Sequence, residues 1–395
     1  MSRLSRARGP RLGLSSLGIH GGGEAPGPGD PLVPPLVQSS TFIAGGPGDE
    51  LLYTRYGNNP LQLLVGRKVA ELEGAEAGLV LGSGMAAISM TLLALTRAGD
   101  HVVSSSHLYG TTLALLRDEL PRRGIETTLV DPSAGRGWRS ALRESTRLIY
   151  LEAPTNPTLE VVDPGPIVDL AHARGLTLVM DATFSTPVNL RPLEIGVDVV
   201  VHSATKYLGG HHDLVGGVVA GTRSVVDEVA ETMKIYGPAA DPHMVWLLDR
   251  GLRTLDVRVR RHNESALTIA RWLEGRDEVG TVLYPGLESH PDHLVAKELF
   301  RAGAGFGGMV SFILRGGGGA ADRFVAALEL VRAAPSLGGA TSLVSQPRYT
   351  SHVGLSTAER ASLGIPDGFV RFSVGLEDTD DLIRDLEQAL ESSEA

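Results

Sequence analysis

Lys206 stands where an amine could do chemistry. The apolar, β-branched run 198–201 predicts a strand covered on both faces. It gives way to His202-Ser203-Ala204-Thr205-Lys206-Tyr207-Leu208-Gly209-Gly210-His211, in which small hydroxyl residues precede a lysine and a glycine pair. In open α/β sheets, ligands sit beyond the carboxyl ends of the strands. A lysine there, with Ser203 and Thr205 just before it, suits a phosphate and an aldehyde cofactor. Taken alone, such a lysine is more often a solvated surface residue.

Further groups carry comparable chemistry. Tyr53 and Arg55 lie two residues apart, on one side of an extended chain, and can hold a phosphate; a polar turn is the plainer reading. Gly82-Ser83-Gly84-Met85 follows an apolar run and opens a helical pattern, where backbone amides are a ready anion site, although a simple turn is the commoner reading. Asp181 ends the apolar run 176–181, at the sheet edge predicted for Lys206. A buried carboxylate there needs a cationic partner, although an N-cap would use the same residue type. Arg371 falls near the start of the alternating run 370–377, and arginine is the residue for bidentate recognition of a carboxylate. Tyr109, before Gly110-Thr111-Thr112, and Asn156, in Glu152-Ala153-Pro154-Thr155-Asn156-Pro157, read by themselves as filler and as a turn residue.

Taken in order from about Val33 to Glu377, these motifs resemble the Cys/Met-metabolism family of pyridoxal-phosphate enzymes, which includes cystathionine γ-synthase, cystathionine γ-lyase and methionine γ-lyase. Ser203 to His211 resembles its Schiff-base signature. The resemblance implies an α/β chain of the aspartate-aminotransferase-like fold: a large domain with a mostly parallel sheet and a smaller α/β C-terminal domain. It implies pyridoxal 5'-phosphate (PLP) attached at Lys206, with Ser203, Thr205, Gly84 and Met85 among its contacts. Asp181 would keep the pyridine nitrogen charged, and Asn156 would bond the ring hydroxyl. Tyr109 would stack on the ring and handle a proton near the leaving group. Arg371, assisted by Ser336 of Pro335-Ser336-Leu337-Gly338-Gly339, would take the substrate α-carboxylate. Tyr53 and Arg55 would reach the phosphate of a neighbouring subunit. The implied activity is γ-elimination from methionine, homocysteine or cystathionine, giving 2-oxobutanoate, ammonia and a thiol. γ-Replacement on an O-acylhomoserine is the alternative, and transamination a remoter one.

The sequence also departs from its relatives. Cystathionine-specific members usually carry glutamate where this chain has Thr341, and often arginine where it has Ala114; methionine-cleaving members carry cysteine at the position of Thr111. Arg348 replaces a small residue near the site and is expected to be able to meet an acyl carboxylate. The Asn-Pro after Tyr53 and Arg55 is spaced one residue further than usual.

The elements that must position these groups follow from pattern and composition. The 395 residues suffice for two domains, and the expected division is an arm over 1–55 contacting a partner subunit, a PLP-binding domain over 56–250 and a small domain over 251–395. The apolar stretch 33–42 in a Gly- and Pro-rich region fits an arm that packs on another chain, in at least a dimer and, by resemblance, a dimer of dimers. Helical spacing predicts a helix over 61–73 stopped at Gly74, one or two Arg-rich helices over 244–270 with a solvated, ion-paired face, and a glycine loop at 316–319 before a helix at 321–331. A net charge of -10 argues against nucleic-acid or anionic-membrane partners and leaves a small amino acid as substrate. The chain has no cysteine, which excludes disulfides, thiolate metal ligands and a cysteine nucleophile, and no metal is called for. No apolar run approaches about 18 residues and the basic start 1–11 lacks a signal-peptide core, so the expected location is cytoplasmic.

Overall fold

In the large sheet, strands that are apolar along nearly their whole length run side by side. A computed structural model describes residues 12–133 and 135–393; the basic start at 1–11 lies outside them. Seven strands, β1 (Ala77–Leu81), β2 (His101–Ser105), β3 (Glu126–Val130), β4 (Thr146–Glu152), β5 (Thr177–Asp181), β6 (Val199–Ser203) and β7 (Gly217–Gly221), form one sheet in the order β1-β7-β6-β5-β4-β2-β3. From β6 through β5, β4 and β2 to β3 all neighbours are parallel, and β7 is antiparallel to both β6 and β1. The central strands are buried on both faces, as continuous runs such as Val199-Val200-Val201 require.

Local chemistry sets the flanking helices. Pro60–Glu73 starts at a capping box made by Asn59 and Gln62, has Pro60 in its first turn, and stops at Gly74 in the left-handed region with φ 75°. A second sheet contains β8 (Val279–Leu283), β9 (Met309–Leu314), β10 (Arg332–Ala333), β11 (Leu343–Ser345) and β12 (Phe369–Ser373), in the order β10-β11-β12-β9-β8. Here β12, which carries Arg371, is central. The long helix Leu255–Glu274 serves both cores: Leu255 and Val259 pack with Tyr207 and Leu208, whereas Ala266, Ile269 and Leu273 pack under the second sheet.

Two expectations need correcting. Arg258 is not on a solvated face: it is 5% exposed and donates to the carbonyls of Tyr207 and Gly251 at 2.8 and 2.6 Å. The loop after Lys206 leaves the Tyr207 carbonyl pointing inward and the end of the helix Pro242–Leu252 leaves that of Gly251, and both need a donor. The glycines at 317–319 are not a loop either; they open the helix Gly317–Ala327, which ends four residues earlier than the apolar pattern suggests. Among the described residues no helix is long and apolar enough to cross a membrane.

Candidate active site

Three strand ends make the floor of the site. The register pairs Glu152 of β4 with Asp181 of β5, and Asp181 with Val201 of β6, so Glu152, Asp181 and Ser203 come to one edge of the sheet. A cavity of about 1100 Å³ opens over that edge. It brings together Lys206, Tyr109, Asp181, Asn156, Ser203, Thr205, Gly84, Met85, Ser336 and Arg371, residues up to 287 positions apart in the chain.

Lys206 and Arg371 meet through one serine. The Lys206 Nζ donates to Ser336 Oγ at 2.9 Å, and the Arg371 Nη2 donates to the Ser336 carbonyl at 3.2 Å. Ser336 has φ 100°, a strained value for a residue with a side chain, and this conformation turns its hydroxyl and carbonyl to the two cations. Burial lowers the Lys206 pKa to about 8, with the Arg371 charge adding to it, so the amine is close to losing its proton at neutral pH. Arg371 is also bound by Asn156, whose Oδ1 accepts from Nη1 at 3.1 Å. Burial lowers its pKa to about 10, which leaves it charged. It has no carboxylate partner among the described residues.

Asp181 is buried, and its Oδ1 accepts from the N–H and the hydroxyl of Thr183 at 2.9 and 2.5 Å. Burial raises its pKa, and the two Thr183 bonds oppose that. The helix Gly84–Leu95 begins beside the floor, with Ser83 capping only the Ala86 N–H. Its first turn can approach because residue 84 has no side chain: a Cβ there would lie 2.7 Å from the Ser203 Cβ. Thr205 lines the cavity, with its hydroxyl shared with the backbone of Gly216. Tyr109 is 42% exposed, and its N–H is held by Glu152 Oε2 at 2.9 Å.

Some expected residues stand elsewhere. Tyr53 and Arg55 are not in the wall of this cavity; Arg55 stacks near Tyr56 and donates to the Lys234 carbonyl at 2.6 Å. Arg348 does not face the cavity as a receptor for an acyl group. Its guanidinium is tied to Asp322 Oδ1 at 2.6 Å and to the Gly318 carbonyl at 2.8 Å, because the start of the helix Gly317–Ala327 offers both acceptors. Thr341 is exposed and outside the wall, whereas Ala114 and Thr111 line it. Glu152, Thr183 and His352 were not legible as site residues. For Glu152 a signal existed: an acid ending an apolar strand, like Asp181. His352 lines the cavity buried and neutral, its pKa lowered to about 4 by burial and by Arg371.

These groups fit PLP: a buried acid lacking a cation, an amine of lowered pKa and free helix-terminal amides. The family model for Cys/Met metabolism PLP-dependent enzymes matches residues 15–391. The chain belongs to that family. An L-methionine gamma-lyase of Pseudomonas putida is 41% identical over 96% of this chain and 98% of its own. A cystathionine gamma-lyase of Bacillus subtilis is 41% identical, over 95% of this chain and 99% of its own. The solved cystathionine gamma-lyase of Lactobacillus plantarum, complexed with L-serine, superposes with a TM-score of 0.92 at 35% identity, covering 97% of this chain and 100% of that one. Relatives named cystathionine gamma-synthase and O-succinylhomoserine sulfhydrylase match as well. The family assignment makes this chain a PLP-dependent enzyme of γ-elimination or γ-replacement.

Proposed function

We propose that the cavity catalyses γ-elimination on a sulfur amino acid (methionine, homocysteine or cystathionine), releasing a thiol, 2-oxobutanoate and ammonia. The observation that carries this reading is the meeting of Lys206 and Arg371 on Ser336: a substrate whose α-carboxylate takes Arg371 has its α-carbon beside the Lys206 amine. Bound PLP supplies an electron sink for carbanion character at that carbon. Lys206 then moves protons at the α and β carbons, and its lowered pKa suits a base at neutral pH. Arg371, prebound by Asn156 and Ser336, fixes orientation, and Asn156 retains its amide N–H groups for the ring oxygen. Asp181 would support the ring nitrogen, Gly84, Met85, Ser203 and Thr205 would hold the phosphate, and Tyr109, at the mouth, would handle the proton of the departing thiol.

The position of Tyr53 and Arg55 outside this wall supports their acting in a second subunit's site, in at least a dimer and by analogy a tetramer, with the exposed Leu32, Val33 and Leu36 packing there. A cytoplasmic location suits these substrates. A second reading, γ-replacement on an O-acylhomoserine, draws support from Arg117, which lines the cavity one turn past Ala114 and would exchange its exposed pair with Asp118 for an acyl carboxylate. A panel of L-methionine, L-homocysteine, L-cystathionine and O-acylhomoserines, scored for 2-oxobutanoate and for thiol incorporation, separates the two. Incorporation without oxobutanoate would overturn the lyase reading.

A further inference from the structure

Glu152 lies at the floor of the cavity with no part in the chemistry above. It and Asp181 are register partners on adjacent parallel strands, so their side chains leave the sheet on one side, from backbones about 5 Å apart. Both are about 6% exposed and both line the cavity. Neither has a cationic partner within ion-pair distance among the described residues. Asp181 receives the N–H and O–H of Thr183, whereas Glu152 receives the N–H of Tyr109.

The titratable groups around the pair help Asp181 alone: His202 and the Tyr150 hydroxyl both favour its ionised form, and neither does so for Glu152. Tyr150, two residues earlier on the same face of β4, turns its buried hydroxyl toward Asp181 without closing a hydrogen bond of ordinary geometry. His202 on β6 is engaged by Glu73 at 2.6 Å. Lys206 is bound to Ser336, and Arg371 to Asn156 and Ser336. Burial, and then the charge of Asp181, push the Glu152 carboxyl well above its usual range; Asp181 rises too, but Thr183 opposes the rise. Two adjacent carboxyls so largely removed from solvent do not both ionise, so the one with the poorer donors keeps the proton.

We propose that Glu152 is a positioning residue that holds its proton at neutral pH, so that Asp181 alone carries charge at the strand ends and the Tyr109 backbone rests on a neutral carboxyl. The inference deepens the reading of this cavity as the PLP site and concerns its electrostatics, so its test does not use turnover. The infrared spectrum of the wild-type holoenzyme at pH 7, minus that of Glu152→Gln, should show the C=O stretch of a protonated carboxyl. Glu152 then keeps its proton folded and loses it unfolded, so wild-type stability falls as pH rises above the ordinary glutamate range. The unfolding equilibrium constant of wild type relative to Glu152→Gln should rise about tenfold per pH unit there, until the folded carboxyl ionises. A difference spectrum with carboxylate bands only, or a ratio flat with pH, overturns the proposal. If Glu152→Gln does not fold, the wild-type spectrum alone decides, because absence of any protonated-carboxyl band at pH 7 overturns it as well. Failure of the substrate panel would leave these readouts untouched.

Discussion

Replacing Arg371 by methionine tests the substrate-orienting role most directly. The side chain is 7% exposed, sits on a central strand, and holds only neutral acceptors, Asn156 Oδ1 and the Ser336 carbonyl. A substrate α-carboxylate would complete it with two charge-assisted hydrogen bonds, each worth about 1.5–3 kcal/mol. Losing both amounts to about 3–6 kcal/mol, or about 10²–10⁴ in kcat/KM at 1.36 kcal/mol per decade. The cost to the fold is smaller: two neutral acceptors lose a donor, about 1–3 kcal/mol, while an unpaired buried charge is removed. The assay is steady-state elimination from L-methionine or L-homocysteine and from the corresponding amino amides, together with denaturant unfolding. Wild type should discriminate strongly against the amides, and Arg371→Met should lose most of that discrimination. A variant that is as stable as wild type and still prefers the acid by the wild-type ratio would refute the reasoning.

Other outcomes follow from the same geometry. Lys206→Ala should lose covalently attached cofactor, read as the loss of its near-visible absorbance, and with it elimination. The pH dependence of cofactor attachment by cofactor-free protein should rise with an apparent pKa of about 8, because burial brings the free Lys206 amine out of its charged form there; a rise only above pH 10 would contradict that environment. Mixing Arg55→Ala with Lys206→Ala chains should restore activity in mixed dimers, and mixed dimers that form but stay inactive would place phosphate binding within one chain. Arg348→Ala should leave the preference among cystathionine, methionine and homocysteine unchanged within a factor of about two, since Arg348 is spent on Asp322 and Gly318; a larger shift would return it to the site.

Residues whose role depends on where a strand ends were legible in the sequence. The run 198–201 and the run 176–181 locate Lys206 and Asp181 because a buried strand has few ways to stop, and its carboxyl end is where open sheets bind ligands. Glu152 ends β4 by the same logic, an acid closing an apolar run. Side chains placed by tertiary packing left no local signal. Arg258 reads as one more arginine on a charged helix, and only its bonds to the carbonyl of Tyr207, far away in sequence, and to that of Gly251 in the preceding helix show that it is an internal strut. Arg348 and Thr341 lie close in sequence to the Ser336 turn, yet a short helical turn at Pro347–Tyr349 and an acceptor at Asp322 send the arginine away from the cavity.

The helix Leu255–Glu274 bears on how this chain can be cut and recombined. Its first turns belong with Tyr207 and Leu208 while its later turns underlie the second sheet, so no linker separates the two halves. Splitting the chain anywhere along it strands apolar surface on both products, and a chimera with a relative joined at that helix inherits a mismatched seam on one side. Because Arg258 braces the loop behind Lys206 from the same helix, such a graft would misplace the reactive amine before it altered any residue in the cavity. Exchanges that carry 199–274 as one block keep the amine and its brace together, and leave the seam beneath the second sheet to be matched to the recipient.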